Sequence, residues 1–75
     1  MKKTVKSIDY FYPTSTNATR FGFPNGGYSV GLTEFDSTKS TATTIEQSGH
    51  ATKEEAIAAA SNMPYEWARW SIPQL

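Results

Sequence analysis

The chain has 75 residues, no cysteine, and seven basic residues balanced by seven acidic ones, so its formal net charge is zero. A domain this small buries only about 60% of the surface its unfolded chain exposes, which leaves little room for a cofactor cavity beside a core. Disulfides, thiolate nucleophiles and thiolate metal ligands are excluded. The charge balance speaks against a strong general attraction to nucleic acid, and equally against an acidic protein that imitates DNA.

Lys2 and Lys3 open the chain without the apolar run of about 7 to 15 residues that a secretory signal needs. No stretch approaches the roughly 20 apolar residues of a membrane span. The expectation is one soluble, cytoplasmic domain over residues 1–75. Asn17-Ala18-Thr19 fits a glycosylation sequon, but with no signal peptide it reads as a chance match.

The first element is "KTVKSIDYFY". Ile8, Tyr10 and Tyr12 fall on one face of an extended chain and Val5 and Phe11 on the other, which predicts a strand ended by Pro13. "PTSTNAT" is polar and rich in turn formers and reads as a loop. In "TRFGFPNGGYSVGLTEF", Asn25-Gly26-Gly27 supplies positive-φ residues between two alternating segments, so a β-hairpin is expected. Phe21 and Phe23 share a face before that turn, and Tyr28, Val30 and Leu32 share one after it. Pro24, lacking a donor, belongs at the strand end or on the turn.

"DSTKSTATTIEQSG" begins as a polar turn and becomes a Thr-rich extended run, giving a strand over Ser40 to Gln47. It buries at most one face, through Ile45 and Thr43, and Gly49 closes it. Thr52 followed by Glu55 fits a capping box at a helix start, with Glu54 and Glu55 at the positive end of the dipole. Ala56, Ile57, Ala60 and Met63 form a narrow apolar face whose small side chains allow close approach to a sheet. Pro64 should stop or kink the helix near Asn62 and open a second short helical turn through "YEWARW", with Trp67 and Trp70 on one side.

The expected fold class is therefore α+β: an antiparallel three- or four-stranded sheet with one main helix on one face, in β-β-β-α order, and a short C-terminal helical turn. "NGGYSVGLTEF" followed by "SGHATKEEAIAAA" resembles the antitoxin domain of HicB proteins over about residues 18–63. That fold is itself similar to a partly degenerate double-stranded RNA-binding domain. The chain departs from the HicB pattern in carrying "TEFDSTKSTATTIEQ" where a Pro-Asp-Leu-Pro-Gly-type turn is usual. It also has no appended helix-turn-helix or ribbon segment, so operator binding is not implied. What the resemblance implies is this fold and the blocking of a toxin nuclease by contact.

Gripping RNA with the helix is disfavoured by charge. Double-stranded RNA-binding domains of this shape need a basic helix start facing the phosphates, whereas Lys53 is followed here by Glu54 and Glu55.

Enzyme chemistry finds little support. His50 is the only histidine, which excludes a His-pair metal site, and a lone His before a helix reads as solvated or capping. There is no Gly-x-Ser-x-Gly elbow, and "FPNGGYSVG" lacks the Gly-Lys-Ser/Thr of a phosphate loop. No catalytic, cofactor or metal residues are assigned.

The ten aromatic residues carry more information. Phe21, Phe23, Tyr28 and Trp67 are expected to complete a core whose helix face is mostly alanine. Tyr10, Tyr12, Tyr65 and Trp70 are the candidate partner contacts, because exposed aromatics dominate interface hot spots. Arg20 and Lys39 complete the candidate set as charged contacts, and would hold phosphates if an open aromatic sheet face stacked on single-stranded bases instead.

The leading expectation is a non-enzymatic inhibitor that occludes a nuclease, a toxin or a defence complex. Its setting is either a HicB-like antitoxin or a phage or mobile-element protein such as an anti-CRISPR. A nucleic-acid-binding module is the alternative, and a homodimer through an exposed strand edge is compatible with both.

Overall fold

A computed structural model of the protein describes residues 1–72. The elements in chain order are β1 (Lys2–Phe11), α1 (Thr16–Phe21), β2 (Gly27–Asp36), β3 (Thr41–His50), α2 (Lys53–Ser61) and β4 (Glu66–Trp67). They build an α+β fold with a four-stranded mixed sheet in the order β3-β2-β1-β4. The β1–β2 and β2–β3 pairs are antiparallel, and β4 runs parallel to β1.

The observed order corrects three expectations. Residues 13–19 are not all loop, because α1 begins at Thr16. The Ser15 side chain caps it by accepting from the Ala18 N–H at 3.2 Å, and Gly22 ends it in the left-handed region at φ 78°. The Phe23 N–H returns to the Ala18 carbonyl at 2.9 Å, satisfying an orphan acceptor of the last turn. Phe21 and Phe23 therefore lie in and after a helix and not on a strand.

The turn at Asn25-Gly26-Gly27 exists, with Gly26 at φ 86° and its N–H on the Phe23 carbonyl at 2.9 Å. It leads out of α1 and joins no hairpin. The strand that pairs with β2 on that side is β1, through a register that sets Ile8 opposite Val30 and Tyr10 opposite Tyr28. The hairpin of the fold is β2–β3. Its tip is an Asx turn in which Asp36 Oδ1 accepts from the Thr38 and Lys39 N–H groups at 3.0 and 3.4 Å, and Ser40 takes φ 54°.

The third correction is C-terminal. In place of a helical turn, the chain after Pro64 becomes the short strand β4 on the free side of β1, so the sheet is mixed rather than antiparallel. The contact continues past β4, with Ala68 N–H on the Lys6 carbonyl at 2.8 Å and Ile72 N–H on the Ile8 carbonyl at 2.9 Å.

Helix α2 forms as its sequence dictates. Thr52 is the N-cap and its hydroxyl accepts from the Glu55 N–H at 3.2 Å, and Asn62 follows the last turn. Ala56 and Ala60 are fully buried against Ile8 and Val30, with Tyr28, Ile57, Met63 and Trp67 packed around them. Alanine lets the helix axis approach the sheet closely, at the cost of a core with few large side chains.

The other face of the sheet has two smaller clusters. At one end Phe11 packs against Phe21 and Phe23, with ring centroids 5.7 and 6.4 Å apart. At the other end Phe35 meets Trp70 at 5.8 Å. Val5 and Phe11, which strand alternation sends away from α2, are both buried.

β3 departs from expectation in burial. Ile45 is 50% exposed, Thr43 is exposed, and the strand runs through Gly49 to His50. The cause is a bulge. The register slips between Leu32 and Thr33, leaving Ile45 without an opposite residue, and the outer strand receives no cover from α2 over residues 41–47.

Candidate functional site

The aromatic side chains fall into two groups by burial. Phe21, Phe23, Tyr28 and Trp67 are half-buried, whereas Tyr10, Tyr12, Tyr65 and Trp70 are exposed. Exposure alone defines no site, and the four do not converge.

Tyr10 and Tyr12 do come together. Both point from the end of β1 toward one face, because they are two residues apart on an extended chain. Their rings meet edge to face at 5.3 Å. Tyr28 stands opposite Tyr10 in the β1–β2 register and adds a second edge-to-face contact at 5.5 Å. Edge-to-face pairs are worth about 0.5–1.5 kcal/mol beyond their buried area, so they hold one another's rotamers. Tyr12 remains 70% exposed and Tyr10 46% exposed, while Tyr28 is anchored on the α2 core. The result is a preordered aromatic ridge with one end fixed in the interior.

One member of this site, Tyr28, is not marked as such by local sequence patterns. Tyr28, expected in the core, serves core and ridge at once. His50 lies opposite Tyr28 on β3, with its Nε2 3.0 Å from the Ser48 hydroxyl. The signal for Tyr28 was the pairing of the two tyrosine-bearing strands, which local periodicity does not reveal.

The remaining candidates sit apart. Trp70 packs on Phe35, seven residues along β2 from Tyr28 and so roughly 23 Å away at the rise of a strand. Beside that pair lies an open depression of about 420 Å³ lined by Met1, Lys3, Phe35 and Ala42 among others. Tyr65 is exposed in the connection between α2 and β4. Lys39 is in the β2–β3 turn. Arg20, on α1, lies over the Phe21 ring at 5.6 Å and borders a second depression with Thr44, Ile45, Glu46 and Gln47. The structure does not unite Arg20, Lys39 and the tyrosines on one surface.

The basic residues are dispersed further by local pairing. Lys2 is 3.7 Å from Glu34 and Lys3 is 2.9 Å from Glu66. Lys6 is buried, donating from Nζ to the Met63 carbonyl at 3.1 Å. Lys53 adjoins Glu54 and Glu55 at the start of α2. The Lys3 ammonium, hydrogen-bonded to the Glu66 carboxylate, holds Glu66 below the usual carboxylate range. Partial desolvation raises the Asp9 carboxyl above its usual value.

Among the described residues no group of three or more His, Cys, Asp or Glu side chains converges to hold a metal ion. No helix among them is long and apolar enough to cross a membrane. Comparison with protein-family models, with curated proteins and with solved structures finds no match.

Proposed function

We propose that this chain is a non-enzymatic protein-binding inhibitor that occupies the surface of a nuclease or of a nucleic-acid-binding complex. The observation that carries this reading is the Tyr10–Tyr12–Tyr28 ridge, with its two exposed rings ordered by edge-to-face contacts and rooted in the α2 core. Rigid aromatics bring large contact area at low entropic cost, which is how interface anchors work. The fold itself does not give the function. A phage or mobile-element anti-defence protein, such as an anti-CRISPR, and a HicB-like antitoxin are the two settings that a small occluding domain of this kind serves.

The nucleic-acid alternative is the weaker reading because of where the cations lie. Two lysines are in ion pairs, one is buried, and Arg20 and Lys39 are on different elements from the tyrosines. A phosphate-tracking groove needs its cations beside its stacking rings.

The test is affinity capture from lysate of the source cell with and without nuclease, at moderate salt. A stoichiometric protein retained after nuclease supports inhibition by occlusion. Recovery of nucleic acid alone, lost steeply as salt rises, overturns it in favour of the alternative.

A further inference from the structure

The outer strand β3 exposes its long edge in a form that suits a second copy of itself. It is the terminal strand of the sheet order, ten residues long, and residues 41–47 are exposed on both faces. Edge strands are ordinarily guarded by lysine, proline or inward charge. Here Thr41-Ala42-Thr43-Thr44-Ile45 has neither charge nor proline, and its β-branched side chains favour the extended state. The bulge at Ile45 interrupts the strand but leaves Thr41 to Thr44 regular.

The direction of the free main-chain groups follows from the register. Lys6 and Ile8 turn theirs toward β4 and the segment after it, so the alternation of an antiparallel ladder turns those of Ser7 and Asp9 toward β2. Carried across β2, the same alternation sets Thr41, Thr43, Glu46 and Ser48 toward β2. Ala42 and Thr44 then present N–H and C=O outward.

We infer that two copies of this chain pair antiparallel through β3, about a two-fold axis at Thr43, joining their sheets into one continuous sheet. In that register Ala42 of one copy and Thr44 of the other exchange main-chain hydrogen bonds in both directions. Thr43 faces its own counterpart, an isologous contact of the kind two-fold symmetry requires. Charge fixes the orientation. Lys39 precedes the regular stretch and Glu46 follows it, and neither is in an ion pair among the described residues. Antiparallel pairing brings Lys39 of one copy beside Glu46 of the other at both ends, whereas parallel pairing would set like charges together. This pairing stands apart from the inhibitory role, since the tyrosine ridge is on β1 and β2 and stays open in it.

Equilibrium sedimentation over a range of concentrations tests the pairing directly. The wild-type chain is expected to show a reversible monomer–dimer equilibrium. Lys39→Glu and Glu46→Lys are each expected to weaken it about two- to ten-fold, and the double exchange K39E/E46K to restore it. Thr44→Pro, which removes an outward donor and leaves the bonds to β2 in place, should abolish the dimer with its thermal unfolding retained. A chain that stays monomeric at its highest soluble concentration overturns the inference. So does a dimer indifferent to the charge variants, or one that the double exchange fails to rescue.

Discussion

The Lys6 ammonium lies 4.7 Å from the centroid of the Trp67 ring and donates to the Met63 carbonyl at 3.1 Å just beyond the end of α2. A buried lysine thus ties the central strand to the segment that carries the chain from α2 to β4. It satisfies a carbonyl at the negative end of the helix dipole, and the ring face replaces part of its hydration.

Truncating that lysine should loosen the C-terminal segment. Lys6→Ala is expected to cost about 2–4 kcal/mol, from lost stem packing, the hydrogen bond and the ring contact. Lys6→Met keeps the stem and should cost less. Urea unfolding followed by tryptophan fluorescence separates the two, and equal losses would place the energy in the ammonium's hydrogen bond and ring contact, with none in stem packing.

Gly49 is required by close approach of α1. A Cβ at this position would stand 2.5 Å from the Phe21 Cβ and 2.6 Å from its Cγ, which a rotamer change does not relieve. Gly49→Ala is expected to destabilise by about 1–3 kcal/mol as α1 shifts off the sheet. In NMR spectra the Phe11 and Phe21 signals should move while those of Ala56 and Ala60 stay.

Ser71 closes the free edge of β1. It is fully buried, and its hydroxyl accepts from the Ile8 N–H at 2.9 Å. Ser71→Ala would strand a buried donor, at a cost of about 1–3 kcal/mol. Hydrogen exchange at the Ile8 amide should accelerate; an unchanged amide would show that the serine is dispensable there.

Asp9 supplies a pH dependence. Its carboxyl is raised by desolvation, so folding favours the neutral form. The penalty is absent below the unfolded value of about 3.9 and grows as pH rises through the higher folded value. Asp9→Asn is expected to raise the Tm at neutral pH, with the gain vanishing in acid. A gain that persists at low pH would assign it to something other than ionisation.

Much of this fold was legible from local signals, and the misses share a physical cause. Thr52 with Glu55, then Ala56 and Ala60, located α2 and its buried face, because cap and periodicity act within one turn. The helix α1 was also written locally, in Ser15 as N-cap and Gly22 just past the end. Its short span overlaps the alternating Phe21 and Phe23, whose period of two imitates a strand. Neither β4 nor the pairing of β1 with β2 has a local signature: two residues carry no period, and the register is fixed by burying Ile8 and Val30 under α2. The exposure of Tyr10 and Tyr12 was not legible, because strand alternation puts both on the same face as Ile8, which is buried. Their union with Tyr28 depended on that same long-range register.

If the tyrosine ridge is the surface that holds a protein partner, calorimetric titration of the captured partner with ridge variants will show it. Tyr12→Ala and Tyr10→Ala are expected to weaken binding by roughly 30-fold or more, as loss of about 2 kcal/mol at an interface anchor implies. Arg20→Ala and Lys39→Ala should change it little. Undiminished binding by the Tyr10→Ala/Tyr12→Ala double variant, with its fold intact by circular dichroism, would rule the ridge out as the binding surface.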